Sequence, residues 1–168
     1  MNDLPPQKAA ASTKGSLYLQ FRLGDQRFAL DVREVIEVLP CRPLKPIAHT
    51  PAWVAGILAH RGVLVPVIDL CALAFAQPSA QRTSTRLVLV RYRGDQQLGL
   101  ILEQATETLR CPSEAFQPYG LDNGEAPYLG PVRQDAEGLL QRIEVDDLLS
   151  DAVRQLLYPD ASAQQVRP

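Results

Sequence analysis

At 168 residues, 46% of them hydrophobic and 21% charged, the chain has the size and composition of one globular domain with a sizeable core. Its formal net charge of -2 supplies no field for holding polyanions or anionic lipid, so nucleic acid is not an expected partner. Cys41, Cys71 and Cys111 are an odd number of thiols in a chain that does not need staples, which fits reduced cysteines, a cytoplasmic setting and no disulfide.

Residues 1–15 lack the continuous apolar stretch of a secretory signal and read as a disordered tail. From Leu17 to Leu23 apolar residues alternate with polar ones, the period of a half-buried strand. Gly24, Asp25 and Gln26 make a turn, and Phe28 and Leu30 resume the alternation, so the two segments form a hairpin. Asp31 with Glu34 suits the start of a short helical turn, because carboxylates there satisfy free backbone N–H groups. Val35 to Leu39 continues as strand until Pro40 and Pro43 stop it. Thr50 and Pro51 read as a cap and first helical turn, and Arg61-Gly62 as a tight turn between two apolar strands. Gln77 to Thr85 has the polar, proline-bearing composition of a connector. Leu148, Leu149, Val153, Leu156 and Leu157 recur at helical spacing, predicting a C-terminal amphipathic helix over about 146–158, with 159–168 a second disordered tail. No run approaches the roughly 20 apolar residues that span a bilayer as a helix, so no direct membrane insertion is expected.

The chain also repeats itself. At an offset of seventy, Gly24-Asp25-Gln26 returns as Gly94-Asp95-Gln96, and Leu17, Leu19, Leu30, Glu37, Leu39 and Cys41 meet Leu87, Leu89, Leu100, Glu107, Leu109 and Cys111. A looser echo sets Gly56 against Gly130, and Ile68-Asp69-Leu70 against Ile143-Glu144-Val145, with the offset grown by about five. Such a repeat means one structural unit used twice. Small open sheets leave unpaired edges, so closure into two pseudo-symmetric barrels packed on each other is the favoured solution. The expected layout is one domain over residues 16–158, a first barrel from about 17–76 and a second from about 86–145.

Little in the sequence points to catalysis. His49 and His60 stand at no metal-ligand spacing with a cysteine, and no phosphate-cradling glycine loop occurs, so neither a metal nor a cofactor is expected. Cys71 lies in an apolar run and reads as core. A small thiol hydrolase using Cys41 or Cys111 with a histidine would need a thiol of depressed pKa. A generic SH3-like or OB-like module for peptides or oligonucleotides would need an aromatic groove or a basic stripe, yet Phe28, Trp53, Phe75 and Phe116 suit barrel interiors better. Arg61, at a hairpin tip beside apolar strands, is either a solvated surface charge or an interface anchor.

Phe21-Arg22-Leu23-Gly24-Asp25 with Phe28, then Val35-Ile36-Glu37-Val38, Thr50-Pro51-Ala52-Trp53-Val54 with Gly56, and Arg61 through Leu70 occur in an order that resembles the CheW-like domain family. The resemblance spans about residues 16–149 and implies a mainly β fold of two five-stranded SH3-like barrels on a shared apolar core, with short helices and a C-terminal helix. It also implies a non-enzymatic, cytoplasmic adaptor, recruited to membrane-associated arrays. Such an adaptor couples the cytoplasmic tips of methyl-accepting chemoreceptors to the regulatory domain of a CheA-type histidine kinase. Carried over position by position, Arg61 matches the family's hairpin arginine, Gly56 and Gly62 its backbone glycines, and Val35 and Glu37 positions near the receptor-facing groove. The chain departs from the pattern at Ala59-His60, where the family has Asn-Leu. That departure suggests a specialised, Wsp-like pathway controlling surface behaviour or second-messenger output.

Overall fold

The computed structural model describes residues 15–118, 124 and 126–159, so both expected tails lie almost wholly outside the described residues, as does part of the proline- and glycine-rich stretch 107–128. Nine strands follow in chain order: β1 Ser16–Leu23, β2 Gln26–Asp31, β3 Val35–Pro40, β4 Val54–His60, β5 Val63–Asp69, β6 Arg86–Tyr92, β7 Gln96–Cys111, β8 Leu129–Asp135 and β9 Gly138–Ile143. Two short helices, α1 Leu70–Phe75 and α2 Asp151–Leu157, and three 3-10 turns complete the described elements.

These strands make two five-stranded SH3-like barrels, but not the chain-contiguous pair expected from the repeat. One barrel, here called terminal, is built from β1, β2, β8, β9 and the second half of β7. The central barrel takes β3, β4, β5, β6 and the first half of β7. The division at 17–76 and 86–145 is therefore corrected: each half of the chain lends its opening hairpin to the other half's barrel. The physical reason lies in β7, which runs sixteen residues without a break and pairs with β6 through Leu102 and with β1 from Glu103 onward. The parallel pairings β2 with β9 and β5 with β7 complete the exchange.

Both barrels close by the same device. Lys45 and Ile57 exchange backbone hydrogen bonds of 3.1 and 2.8 Å, joining the segment after β3 to β4. Gln117 and Val132 do likewise at 2.7 and 2.9 Å, joining the segment after β7 to β8. The repeat extends to the strand-to-helix corners, where Asp69 N–H donates to the Trp53 carbonyl and Glu144 N–H to that of Tyr128, both at 2.8 Å.

The ungapped pairing of the opening strands is out by one residue. Leu19 faces Leu30 in the first hairpin, but Val88, not Leu89, faces Leu100 in the second. Two residues separate β1 from β2 and three separate β6 from β7, and because side chains alternate along a strand, one extra residue exchanges faces. Arg93 and Gly94 take φ of 47° and 90° in the longer turn, which the Asp146 carboxylate pins by accepting the Arg93 N–H at 2.8 Å.

Three cores result. Leu39, Leu58, Val65, Val67, Leu87 and Leu89 fill the central barrel, and Tyr18, Ala29, Cys111, Phe116 and Leu140 the terminal one. The largest core lies between them, where Leu19, Phe21, Phe28, Val88, Val90 and Leu100 meet with Leu148, Leu149 and Val153. Burial on both faces explains why β6 reads as a nearly continuous apolar run, and why Ala29, between Phe28 and Leu30 on β2, is buried as well.

Local expectations fared unevenly. Asp31 does cap a 3-10 turn, Val32–Glu34, accepting from Arg33 N–H at 2.9 Å. Thr50 and Pro51 open no helix: the Thr50 hydroxyl donates back to the Ile47 carbonyl at 2.8 Å and a turn leads straight into β4. The C-terminal helix is shorter than expected, since a 3-10 turn, Val145–Asp147, precedes it and Ser150 starts α2 by accepting from Val153 N–H at 3.3 Å. The connector is also tied down. Asp69 accepts from the Ser79 N–H and hydroxyl at 2.9 and 2.6 Å, and Glu103 from Ala80 N–H at 3.0 Å.

Glu34 sits where the chain crosses from one barrel to the other. Burial first, then the neighbouring carboxylates Asp31, Glu144 and Asp146, push its carboxyl up to about 7, with Arg142 opposing. A folded-state value above the ordinary one means that folding takes up a proton, so stability declines as pH rises from about 4.5 through 7. Glu34→Gln is expected to abolish that slope and to add about 2–3 kcal/mol near pH 8. Urea denaturation at pH 5 and pH 8 checks it, and an unchanged slope would contradict the assignment.

Candidate functional site

β3 and the β4–β5 hairpin form the mouth of the central barrel, and alternation decides what they place there. On β4, Leu58 points into the barrel, so His60, two residues on, lies on the same side at the rim. On β3, Glu37 shares its side with the buried Leu39. The two strands thereby bring Glu37 within hydrogen-bond reach of both hairpin residues. His60 Nε2 donates to Glu37 Oε1 at 3.0 Å, and Arg61 Nη2 donates to Glu37 Oε2 at 3.2 Å. Led by the His60 hydrogen bond, with Arg61 and Arg42 adding positive charge, these contacts hold the Glu37 carboxyl below the usual carboxylate range against desolvation. An ionised carboxylate only accepts, which fixes the proton of His60 on Nε2.

The hairpin turn is strained at its most exposed charge. Arg61 and Gly62 both have positive φ, 53° and 80°, as a two-residue I′ turn requires. An arginine there costs roughly 1–2 kcal/mol relative to glycine. Its side chain is 74% exposed, while that of the neighbouring His60 is only 10% exposed.

Of the seven residues singled out from the sequence, Glu37, His60 and Arg61 therefore come together, with Gly62 completing the turn. Ala59 lies on the outer face, paired with Leu64. Val35 is half-buried against the inter-barrel core, one bulge away from Glu37. Gly56 is buried at a bulge in β4, where a Cβ would come within 2.5 Å of the Lys45 carbonyl oxygen, so its place is in barrel closure.

Four residues of this surface were not singled out. Ile36 and Val38 on β3, and Val63 and Leu64 on β5, are large, apolar and exposed. The signal was available: in Val35-Ile36-Glu37-Val38-Leu39 the charged residue shares the inward parity with Leu39, leaving two aliphatics facing water.

The corresponding rim of the terminal barrel is built differently. Register places Asp135 where the central barrel has His60, and Asp135 takes a two-point bond from Arg27, Nη1 to Oδ1 at 2.9 Å and Nη2 to Oδ2 at 3.0 Å. Arg27, on β2 with only 5% side-chain exposure, also reaches Gln20 at 3.3 Å. Beside it an open groove of about 660 Å³ runs past Arg22, Asp25, Val132 and Leu139.

Among the described residues neither an activated thiol nor a cluster of metal-ligating side chains is found. Burial pushes the thiols of Cys41 and Cys111 up and that of Cys71 to about 11, opposite to the direction of an activated nucleophile. Among the described residues no three His, Cys, Asp or Glu side chains gather as metal ligands. No helix of the described residues is long and apolar enough to cross a membrane. Phe28 and Phe116 are buried and Trp53 is partly buried against the inter-barrel core, but Phe75, expected in a barrel interior, is exposed at the end of α1 with its ring 6.4 Å from that of Phe28.

Residues 17–153 match the model of the CheW-like domain family. Chemotaxis protein CheW of Klebsiella aerogenes is 31% identical over 66% of this chain and 66% of its own length. Protein FrzA of Myxococcus xanthus is 31% identical over 79% of this chain and 86% of its own, and Protein PilI of Pseudomonas aeruginosa 29% identical over 67% and 62%. The chain spans just under two thirds of the length of the Klebsiella and rhizobial CheW relatives it matches. The crystal structure of the scaffolding protein TtCheW from Thermoanaerobacter tengcongensis superposes with a TM-score of 0.70 at 22% identity, over 77% of this chain and 84% of that one.

Proposed function

The chain belongs to the CheW-like domain family, and on that basis we propose that it is a non-enzymatic adaptor coupling methyl-accepting chemoreceptors to a CheA-type histidine kinase. The observation that carries the reading is the rim of the central barrel: an exposed, conformationally strained arginine on a closed sheet whose strands β3 and β5 also expose the aliphatic residues Ile36, Val38, Val63 and Leu64. Strain of this kind persists where it serves a purpose other than stability. Apolar side chains beside a polar anchor suit a helical partner, whose buried face supplies affinity while the anchor sets register. The receptor's cytoplasmic tip is proposed to lie along the groove on the Val35 side, with Glu37, Ala59, His60, Arg61 and Gly62 at its rim and Gly56 supporting the hairpin from below. The kinase regulatory domain is proposed to dock at the barrel ends.

Arg61→Asn separates this role from a structural one. Asparagine tolerates positive φ, so thermal stability should hold or rise, while coupling to receptor tips or kinase should weaken by about 1–4 kcal/mol. Co-sedimentation of the variant with receptor fragments and kinase measures the second quantity and a thermal melt the first. Wild-type assembly by the variant would refute the assignment.

The specialised-pathway reading rests on Ala59-His60, and it predicts unequal affinity of this adaptor for receptor tips drawn from different arrays. Equal affinity for all of them would remove it.

A further inference from the structure

The residues at the end of β6 each tie down a different part of the molecule. Val90 pairs with Val35, the first residue of β3, and Arg91 Nη1 donates at 2.9 Å to the Arg33 carbonyl in the turn just before it. Tyr92 stacks on Tyr158, with ring centroids 5.6 Å apart and planes 16° from parallel. Arg93, in the turn that follows, gives its N–H to Asp146 Oδ1 at 2.8 Å and its Nε–H to the Asp146 carbonyl at 3.1 Å. The Tyr158 hydroxyl donates to the carbonyl of Gln97, the residue that faces Arg91 across the hairpin. Asp146 and Tyr158 follow β9 and so extend the terminal barrel, whereas β3, β6 and the start of β7 belong to the central one. One barrel thereby grips the other at the strand end that carries the beginning of β3.

The first copy of the repeat lacks this grip. At its corresponding corner Cys71 stands where the second copy has Asp146, and the Gly24 N–H meets only a sulfur, a weak acceptor. The helix that follows ends in an exposed Phe75, and an open groove of about 340 Å³ lies between it and the 24–26 turn where the second copy has stacked rings. Val35 does pack on the inter-barrel core, but apolar contact is non-directional and leaves the angle of a strand free. Hydrogen bonds at Arg91 and Arg93 supply the direction.

We infer that Asp146 and Tyr158 are positioning residues for β3: by fixing residues 90–93 they set the placement of Val35, and with it the receptor-facing side of the central barrel. The placement of Val35 stands on geometry alone, and only its consequence for receptor binding rests on the adaptor reading.

Five forms of the full chain test this: wild type, Tyr158→Phe, Tyr158→Ala, Asp146→Asn and Asp146→Ala. Phenylalanine keeps the stacked ring, and asparagine still offers Oδ1 to the Arg93 N–H. The first readout, the amide NMR spectrum, needs no partner. Resonances of Arg33, Val35 and Glu37 should move in both alanine variants, stay near wild type in Asp146→Asn and move less in Tyr158→Phe. Gln117 and Val132, which close the terminal barrel, should hold still in every form and so report that the fold is intact. The second readout is binding to a receptor-tip fragment, expected to weaken about 2- to 30-fold in the alanine variants and to be restored in Asp146→Asn. Shifts confined to residues 90–97 and 145–158, with Val35 unmoved, overturn the positioning role. Asp146 also presses on Glu34 as a like charge, so an Asp146→Asn that behaves as Asp146→Ala would assign the effect to lost charge and overturn the role given to the Arg93 bond. A moved Val35 with unchanged receptor binding overturns the functional half. If wild type itself fails to bind receptor tips, the adaptor reading falls, and the spectra alone decide the roles of Asp146 and Tyr158.

Discussion

Asp135→Ala is expected to lower the stability of the fold by about 3–5 kcal/mol, the range for stripping the partner from a buried charge. Arg27 is 5% exposed, and its two terminal nitrogens both rest on Asp135. What would remain is the 3.3 Å bond to Gln20 and a long 3.7 Å approach of the exposed Glu137 to Nε. Arginine cannot shed its proton to escape the penalty. The same pair predicts the acid limb of the stability curve. The Arg27 hydrogen bonds hold the Asp135 carboxyl down to about 2, below its ordinary value, so the stabilisation is complete above about pH 4 and is lost as pH falls through 2. Asp135→Ala should flatten that limb. Arg27→Met combined with Asp135→Ala removes both charges and should recover a large part of the loss, because apolar replacements of a buried pair are often near neutral. Urea denaturation of the single and double variants at pH 3 and pH 7 measures each term, and additive losses would show that the two side chains act independently.

The contrast between the two rims explains which features the sequence could reveal. Hairpins were legible because alternation and turn residues are local: Leu17 to Leu30 and the Arg61-Gly62 turn fell where their residues put them. The repeat was legible as well, and Glu37 with Glu107 and Leu39 with Leu109 are equivalent in register. What escaped was every property that depends on which strands meet. A three-residue turn at 93–95 looks like the two-residue one at 24–25 until the strands are paired, and only then does Val88 replace Leu89 as the counterpart of Leu19. Nor does a sixteen-residue strand announce that its halves serve different barrels: the change of partner falls at a bulge, where Gln104 takes φ of 50° and the register with β1 shifts between Glu103 and Glu107, and nothing in the local pattern marks it. At the site, Arg61 and His60 were adjacent in sequence, but their common partner Glu37 is 24 and 23 residues away and reaches them only because Lys45 bonds to Ile57 and draws the end of β3 toward β4. Arg27 was missed for a related reason: both faces of β2 are buried, so a charged residue there has no surface to reach and must be matched from β8.

Barrel closure, and with it the site, turns on Gly56, and Gly56→Ala is expected to cost about 3–5 kcal/mol. At φ of 147° the residue lies in a region that side chains rarely adopt, and a Cβ would meet the Lys45 carbonyl oxygen at 2.5 Å and Leu44 Cβ at 3.0 Å. The obstacle is backbone, so no rotamer change relieves it. Either the chain around Lys45 retreats or Gly56 changes conformation, and both routes sacrifice the two Lys45–Ile57 hydrogen bonds that close the central barrel. Those bonds also set the distance between β3 and β4, so Glu37 should lose His60 and Arg61, and receptor-tip binding should fall along with stability. Gly62→Ala supplies the comparison. It shares the positive φ but has nothing within 4 Å of its Cβ, so only the conformational cost of roughly 1–2 kcal/mol applies. Hydrogen exchange locates the damage: in Gly56→Ala protection should vanish at Lys45 and Ile57 while Gln117 and Val132, the closing pair of the other barrel, keep theirs. Equal losses in the two alanine variants would mean that strain alone, and not closure, accounts for the glycine at position 56.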